Sequence, residues 1–243
     1  MLEAVFFDFG NTLASPKGYT ILDVNQFFTI PELRKLGVKT SKKEIMQIIE
    51  EVGRNSTIPL RPTKSFNSST PFMKYVIDRL EATHITTEQA RDLEYRGYQQ
   101  HMKIVKLYPW ARKALEWIKQ QGLQLALISN FYQDLVKAYL EALHVFSFFD
   151  TIITSERARA LKAELRPFKL ALKELKVTPQ GAIHVGDSIE QDGACRKLGI
   201  KFIYSTWHQI GLQKRAVVTV SPKDYDFTAA NYRELIRLIK TLI

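Results

Sequence analysis

Short apolar runs alternate along most of the chain with segments whose apolar residues recur every three to four positions, a rhythm that predicts strands alternating with helices. The runs at residues 4–7, 123–128, 151–154, 182–185 and 201–204 predict strands, and helical spacing covers 111–120, 134–143, 168–175, 191–198 and 232–242. Strands joined through helices need crossover connections, so the predicted fold class is α/β, a doubly wound parallel sheet.

Residues 15–106 break that rhythm. They hold no convincing strand and several amphipathic helical patterns, which predicts an α-helical domain over 15–106, inserted into a core made of 1–14 and 107–243. Ser41 with Glu44, and Thr86 with Gln89, have the spacing of capping boxes opening two of its helices. Residues 55–71 are rich in Ser, Thr, Pro and Asn and favour a loop, with a further helix over 71–82.

Composition narrows the field. With 243 residues, 45% of them apolar, the chain can bury one α/β core and still carry a smaller domain. Cys195 is the only cysteine, which excludes an intrachain disulfide and a cysteine-built zinc site. The formal charge of +10 suits an anionic partner. Lys and Arg are scattered over helical faces rather than gathered among aromatics, which favours a small anion over nucleic acid. The opening MLEAVFFDFG carries Glu3 where a secretory leader would place positive charge, and lacks a small-residue cleavage pattern, so a cytoplasmic protein is expected. No stretch approaches the ~20 apolar residues of a membrane span.

Several conspicuous residues read as structural. His84, His101, His144, His184 and His208 show neither i,i+4 pairing nor a neighbouring cysteine, and His184, inside a predicted strand, reads as a packed or hydrogen-bonded core residue. Trp110 and Trp117 are seven apart, a spacing that would put both on one helical face in the core. The chain has no Gly-rich loop ending in Lys-Ser or Lys-Thr and no dinucleotide fingerprint.

The candidate chemistry sits at predicted strand ends, where open α/β sheets bind ligands. The first strand opens into Asp8-Phe9-Gly10-Asn11-Thr12. The run 125–128 ends in Ser129-Asn130, a hydroxyl and turn amides suited to phosphate oxygens. The run 183–185 leads to Gly186-Asp187-Ser188, with Asp192 five residues beyond Asp187. Asp8, Asp187 and Asp192 together would form a hard oxygen site of the kind Mg²⁺ prefers.

These segments, with Lys162 between them, resemble the four ordered motifs of the haloacid dehalogenase-like hydrolase superfamily. The lysine is located by spacing to the helix that follows: Lys162 keeps the register to Phe168 and Leu172, although Ala163 stands where the family usually has proline, and Arg166-Pro167 is the competing cation. The resemblance implies a Rossmann-like core with a helical cap of type 1 over the inserted domain. It implies Asp8 as a nucleophile forming an aspartyl-phosphate, with Thr12, Ser129, Asn130 and Lys162 contacting the phosphoryl group. It also implies a Mg²⁺ ion held by Asp8, the Gly10 carbonyl and Asp187, with Asp192 ligating or orienting a coordinated water.

One position departs from the family's phosphatases, which carry a second Asp two residues after the nucleophile as general acid and base; here it is Gly10. Glycine keeps the carbonyl and loses the proton-transfer group, a function typically worth about 10²- to 10⁴-fold in rate. The expectation is a Mg²⁺-dependent phosphatase acting on a small phosphorylated metabolite, with one that carries a good leaving group, such as an acyl phosphate, suiting the missing acid. A dehalogenase-like enzyme, a phosphonatase-like enzyme using a cap lysine such as Lys17, Lys42, Lys43 or Lys64, and a non-catalytic phosphate-binding protein remain the alternatives.

Overall fold

The apolar runs assemble into a parallel sheet in a computed structural model that describes residues 1–16, 25–54, 71–207 and 220–243. In chain order the strands are β1 (Ala4–Phe7), β2 (Ala14–Pro16), β3 (Val105–Leu107), β4 (Gln124–Ser129), β5 (Thr151–Thr154), β6 (Ala182–Gly186), β7 (Lys201–Ser205) and β8 (Phe227–Ala229). Six of them form one sheet in the order β5-β4-β1-β6-β7-β8, with every neighbouring pair parallel, while β2 and β3 pair separately. The helices are α1 (Ile30–Lys35), α2 (Lys42–Arg54), α3 (Phe72–Arg79), α4 (Thr87–Ile104), α5 (Ala111–Gln120), α6 (Gln133–Ala142), α7 (Ser155–Ala158), α8 (Arg166–Leu175) and α9 (Tyr232–Lys240). None of the described helices is long and apolar enough to cross a membrane.

The chain divides into two compact units, Met1–Ser15 with Leu107–Ile243, and Pro16–Lys106. In the first, every residue of β1 is buried, as a central strand covered on both faces requires. Phe6, Ile128 and Ile153 pack with Phe168, Ala171 and Leu172 of α8. Helix α5 packs on β4 and α9 on α5, burying Ala114, Leu115, Leu235 and Ile239. The second unit is helical, with its own core built from Leu33, Ile45, Ile49, Met73, Ile77 and Leu93. Thr86 and Gln89 form the reciprocal capping box of α4, at 3.2 Å and 2.9 Å. At the start of α2, Ser41 Oγ accepts from the Glu44 amide at 3.2 Å.

Three expectations are corrected. The helix predicted over 191–198 is a 3₁₀ helix, Gly193–Leu198. Its bonds close over three residues, with the Cys195 amide donating to the Asp192 carbonyl at 3.2 Å and the Gly199 amide to the Arg196 carbonyl at 3.0 Å, the tighter 3₁₀ spacing. Trp110 is not a core residue: it precedes α5 with a left-handed backbone (φ 71°), so helical periodicity does not apply to it, and it is 40% exposed between Lys113 and Arg233. Trp117 is only half-buried, with the Lys240 ammonium over its ring. Strand β8 was not expected, because three residues with a polar centre carry no readable pattern; it pairs with β7 and extends the sheet. Of the remaining expectations, residues 55–70 of the loop expected over 55–71, together with Lys17, Lys64 and His208, lie outside the described residues.

Candidate active site

Register brings the strand ends together. Phe7 is level with Leu127 on β4 and with Val185 on β6, so Asp8, Ser129 and Asp187 all emerge at one edge of the sheet. The strand order reverses beside β1, with β4 and β5 on one side and β6 to β8 on the other. The crevice at such a switch point is where an open α/β sheet takes its ligand.

Lys162 reaches that edge from a 3₁₀ turn, Lys162–Glu164, just ahead of α8. Its ammonium, buried to 3% exposure, donates to Asp8 Oδ1 at 2.6 Å and also to Asp192 Oδ1. Asn130 braces this turn: its Oδ1 accepts from the Lys162 amide at 3.0 Å, and its Nδ2 donates to Gln191 Oε1 at 2.9 Å. Leu165 closes the turn in the left-handed region (φ 68°), where branched residues are uncommon. Arg166 is exposed at the first position of α8, with Pro167 following it.

Asp192 is wholly buried and fully engaged. Besides Lys162, its Oδ1 meets His184 Nε2 at 2.8 Å, while Oδ2 accepts from the Ser188 amide at 3.0 Å. This carboxylate fits only because residue 186 is glycine, since a Cβ there would stand 2.3 Å from Asp192 Cγ. Gly186→Ala is therefore expected to cost about 1–3 kcal/mol of stability by overpacking and to displace Asp192 from Lys162. Thermal denaturation checks the first effect and activity the second; a variant with wild-type melting and turnover would show that Asp192 has room to yield.

Asp187 is half-buried and accepts from Asn11 Nδ2 at 3.2 Å; Asn11 tolerates the left-handed backbone (φ 58°) that turns it there. Ser129 is buried at the end of β4. The Thr12 hydroxyl is also buried, 3.4 Å from Ser205 Oγ. Gly10 is open: no heavy atom of the described residues lies within 4 Å of where a Cβ would stand, and its backbone is outside the left-handed region.

The charges explain one another. Burial pushes the Asp8 carboxyl up to about 8, with the Lys162 ammonium opposing that rise and the Asp192 and Asp187 carboxylates adding to it. Burial also works against an ionised Asp192, yet Lys162 and His184 hold it well below the usual carboxylate range. Lys162 likewise stays charged despite burial, because Asp192 and Asp8 face it. Burial keeps the His184 imidazole below its ordinary value, which leaves it a neutral partner to Asp192.

Three carboxylates thus confront one ammonium. Oxygens of Asp8, Asp187 and Asp192 lie within 4.8 Å of one another, and the surplus of negative charge on hard ligands fits a divalent cation such as Mg²⁺. The structure brings Asp8, Lys162, Asp187 and Asp192 into one cluster, with Asn130 tied to the lysine turn. Reading the sequence missed His184 as the partner of Asp192, the reason for Gly186, and the brace between Asn130 and Gln191. The spacing along the chain carries no signal for any of them.

The fold and this cluster define a doubly wound α/β enzyme with a buried carboxylate–lysine centre. The haloacid dehalogenase-like hydrolase profile matches residues 5–205, and the chain belongs to that family. It is 23% identical to the glyceraldehyde 3-phosphate phosphatase of Methanocaldococcus jannaschii, over 100% of this chain and 99% of that protein. It is 28% identical to a phosphoglycolate phosphatase of Pseudomonas putida, over 54% of this chain and 48% of that protein. The chain spans about half to two thirds of the length of the first curated relatives it matches. A putative beta-phosphoglucomutase from Thermotoga maritima has the same fold, with a TM-score of 0.71 at 16% identity and 100% of both chains covered.

Proposed function

We propose that this protein is a Mg²⁺-dependent phosphatase of small phosphorylated metabolites that works through phosphoryl transfer to Asp8. The observation that carries the reading is the buried contact of the Asp8 carboxylate with the Lys162 ammonium at 2.6 Å, in a cluster that holds two more carboxylates. Relatives named as phosphatases of phosphoglycolate and glyceraldehyde 3-phosphate support the substrate class.

In this reading an Asp8 carboxylate oxygen attacks phosphorus as the bond to the leaving oxygen breaks. Water then cleaves the aspartyl-phosphate, releasing inorganic phosphate and regenerating Asp8. Lys162 and the Ser129 hydroxyl hold phosphoryl oxygens. Asn130 positions the lysine turn, and Thr12, its hydroxyl buried, serves the loop. Asp8, Asp187 and the Gly10 carbonyl would hold the metal, and Asp192 orients Lys162. When bound, Mg²⁺ offsets the repulsion between an anionic phosphate and a carboxylate nucleophile. The helical unit acts as a cap that selects the substrate, and the cytoplasm is the expected compartment.

A screen of phosphorylated metabolites, an acyl phosphate and an activated aryl phosphate with Mg²⁺, using Asp8→Asn as blank, tests the reading. Metal-independent halide release would replace it with a dehalogenase, and phosphate binding without turnover on the whole panel would replace it with a binding protein. A separate expectation concerns the metal: saturating Mg²⁺ at about 100 times its Kd should stabilise the fold by about 2.7 kcal/mol, and Asp187→Asn should remove most of that gain. Thermal melts with Mg²⁺ and with EDTA read it directly. Equal shifts in wild type and variant would take Asp187 out of the metal site.

A further inference from the structure

We propose that Tyr232 and Trp207 are positioning residues that hold the Asp8 loop through one backbone oxygen, the carbonyl of Thr12. This inference rests on the reading of Asp8 as nucleophile. The Tyr232 hydroxyl donates to that oxygen at 2.9 Å and Trp207 Nε1 donates to it at 3.0 Å, so both of its lone pairs are engaged. The other end of the same peptide is held as well. The Leu13 amide donates to the Phe9 carbonyl at 2.9 Å, and the Ala14 amide joins it at 3.0 Å. The Asn11 amide donates back to the Ala14 carbonyl at 2.9 Å.

Between Asp8 and this anchored peptide lies Gly10, which has the widest backbone freedom of any residue and no side chain to steady it. Without the clamp, the carbonyl that Gly10 would present to a metal and the carboxylate of Asp8 would share a loop with a loose centre. The two donors are themselves firmly mounted. Tyr232 and Trp207 are buried, with ring centroids 4.7 Å apart. Tyr232 also stacks on Phe7 of β1 at 6.4 Å, and Tyr108 meets Trp207 edge-on at 6.2 Å. Asn231 caps α9 directly ahead of Tyr232 by accepting from the Glu234 amide at 3.0 Å. Phenylalanine would fill an apolar cluster equally well, so packing alone gives no reason for two polar donors aimed at one oxygen. Burial also pushes the Tyr232 hydroxyl well above the ordinary tyrosine value, which keeps it a donor across the working pH range.

The experiment compares Tyr232→Phe, Trp207→Phe and the double variant with wild type and Asp8→Asn, using an activated aryl phosphate and Mg²⁺. Each single variant is expected to lose about threefold to tenfold in kcat with KM within about twofold of wild type, and the double about thirtyfold or more, because the loop then loses its anchor. The Mg²⁺-induced rise in Tm should shrink in the same order, a readout that needs no turnover. A folded double variant with lowered Tm but wild-type kcat and a wild-type Mg²⁺ shift would overturn the proposal, since the residues would then only pack. If the double variant does not fold, Tyr232→Phe, which keeps the ring, decides by the same two readouts. Absence of Asp8-dependent turnover in the wild type would instead refute the phosphatase reading, and the Mg²⁺ shift would then judge the clamp alone.

Discussion

Replacing Asp8 with asparagine is expected to abolish turnover while making the metal-free protein more resistant to heat at pH 8. The loss follows from removing the nucleophile and should amount to about 10⁴-fold or more in kcat. The gain in stability follows from electrostatics. Burial raises the Asp8 carboxyl from its ordinary value of 3.8 to about 8 in the cation-free fold, so between these values the folded protein binds a proton that the unfolded chain releases. The Asp8 contribution is therefore fully present below about pH 4 and is lost as pH rises through about 8, on the order of a few kcal/mol at most. Asparagine does not ionise, and Lys162 keeps Asp192 as its counter-charge. In EDTA, the Tm of Asp8→Asn minus that of wild type should grow from pH 5 to pH 8, and Mg²⁺ should reverse the order by stabilising wild type more. A variant that melts below wild type at every pH in EDTA would mean that the Asp8–Lys162 contact outweighs the burial of charge.

Gly10→Asp is expected to raise activity on unactivated alkyl phosphates by about tenfold to a hundredfold, at the low end of what a positioned acid–base group supplies. The fold can take the change: the space beside Gly10 is empty of described heavy atoms, and its backbone is outside the left-handed region. The gain should be confined to leaving groups that need a proton. On an acyl phosphate or an activated aryl phosphate the variant should stay within about threefold of wild type, because those leaving groups depart as stable anions without general acid. Comparing the two substrate types at saturating Mg²⁺, with Gly10→Asn as a control for size, separates proton transfer from packing. A folded, metal-binding Gly10→Asp that gains nothing on alkyl esters would show that another group already supplies the proton.

The sheet was legible because its strands are short apolar runs buried on both faces, and such runs keep their pattern whatever surrounds them. The capping box at Thr86 was legible for a similar reason: both of its hydrogen bonds lie within four residues. The order of Asp8, Ser129, Lys162 and Asp187 along the chain also pointed to the haloacid dehalogenase-like hydrolase family, to which the chain belongs. By contrast, the 3₁₀ geometry after Asp192, the outward turn of Trp110 and the strand β8 depend on partners that local periodicity does not describe.

Residue types and their order thus determined which groups reach the end of the sheet, since strand register follows from the apolar pattern itself. Tertiary structure alone decided how those groups share charge. Asp192 is held by Lys162, His184 and the Ser188 amide, Gly186 leaves room for it, and two aromatic donors 195 and 220 residues away grip the Thr12 carbonyl. Hydrogen bonds and Coulomb interactions act over a few ångströms of space, and chain separations of this length set no such distance until the fold has closed.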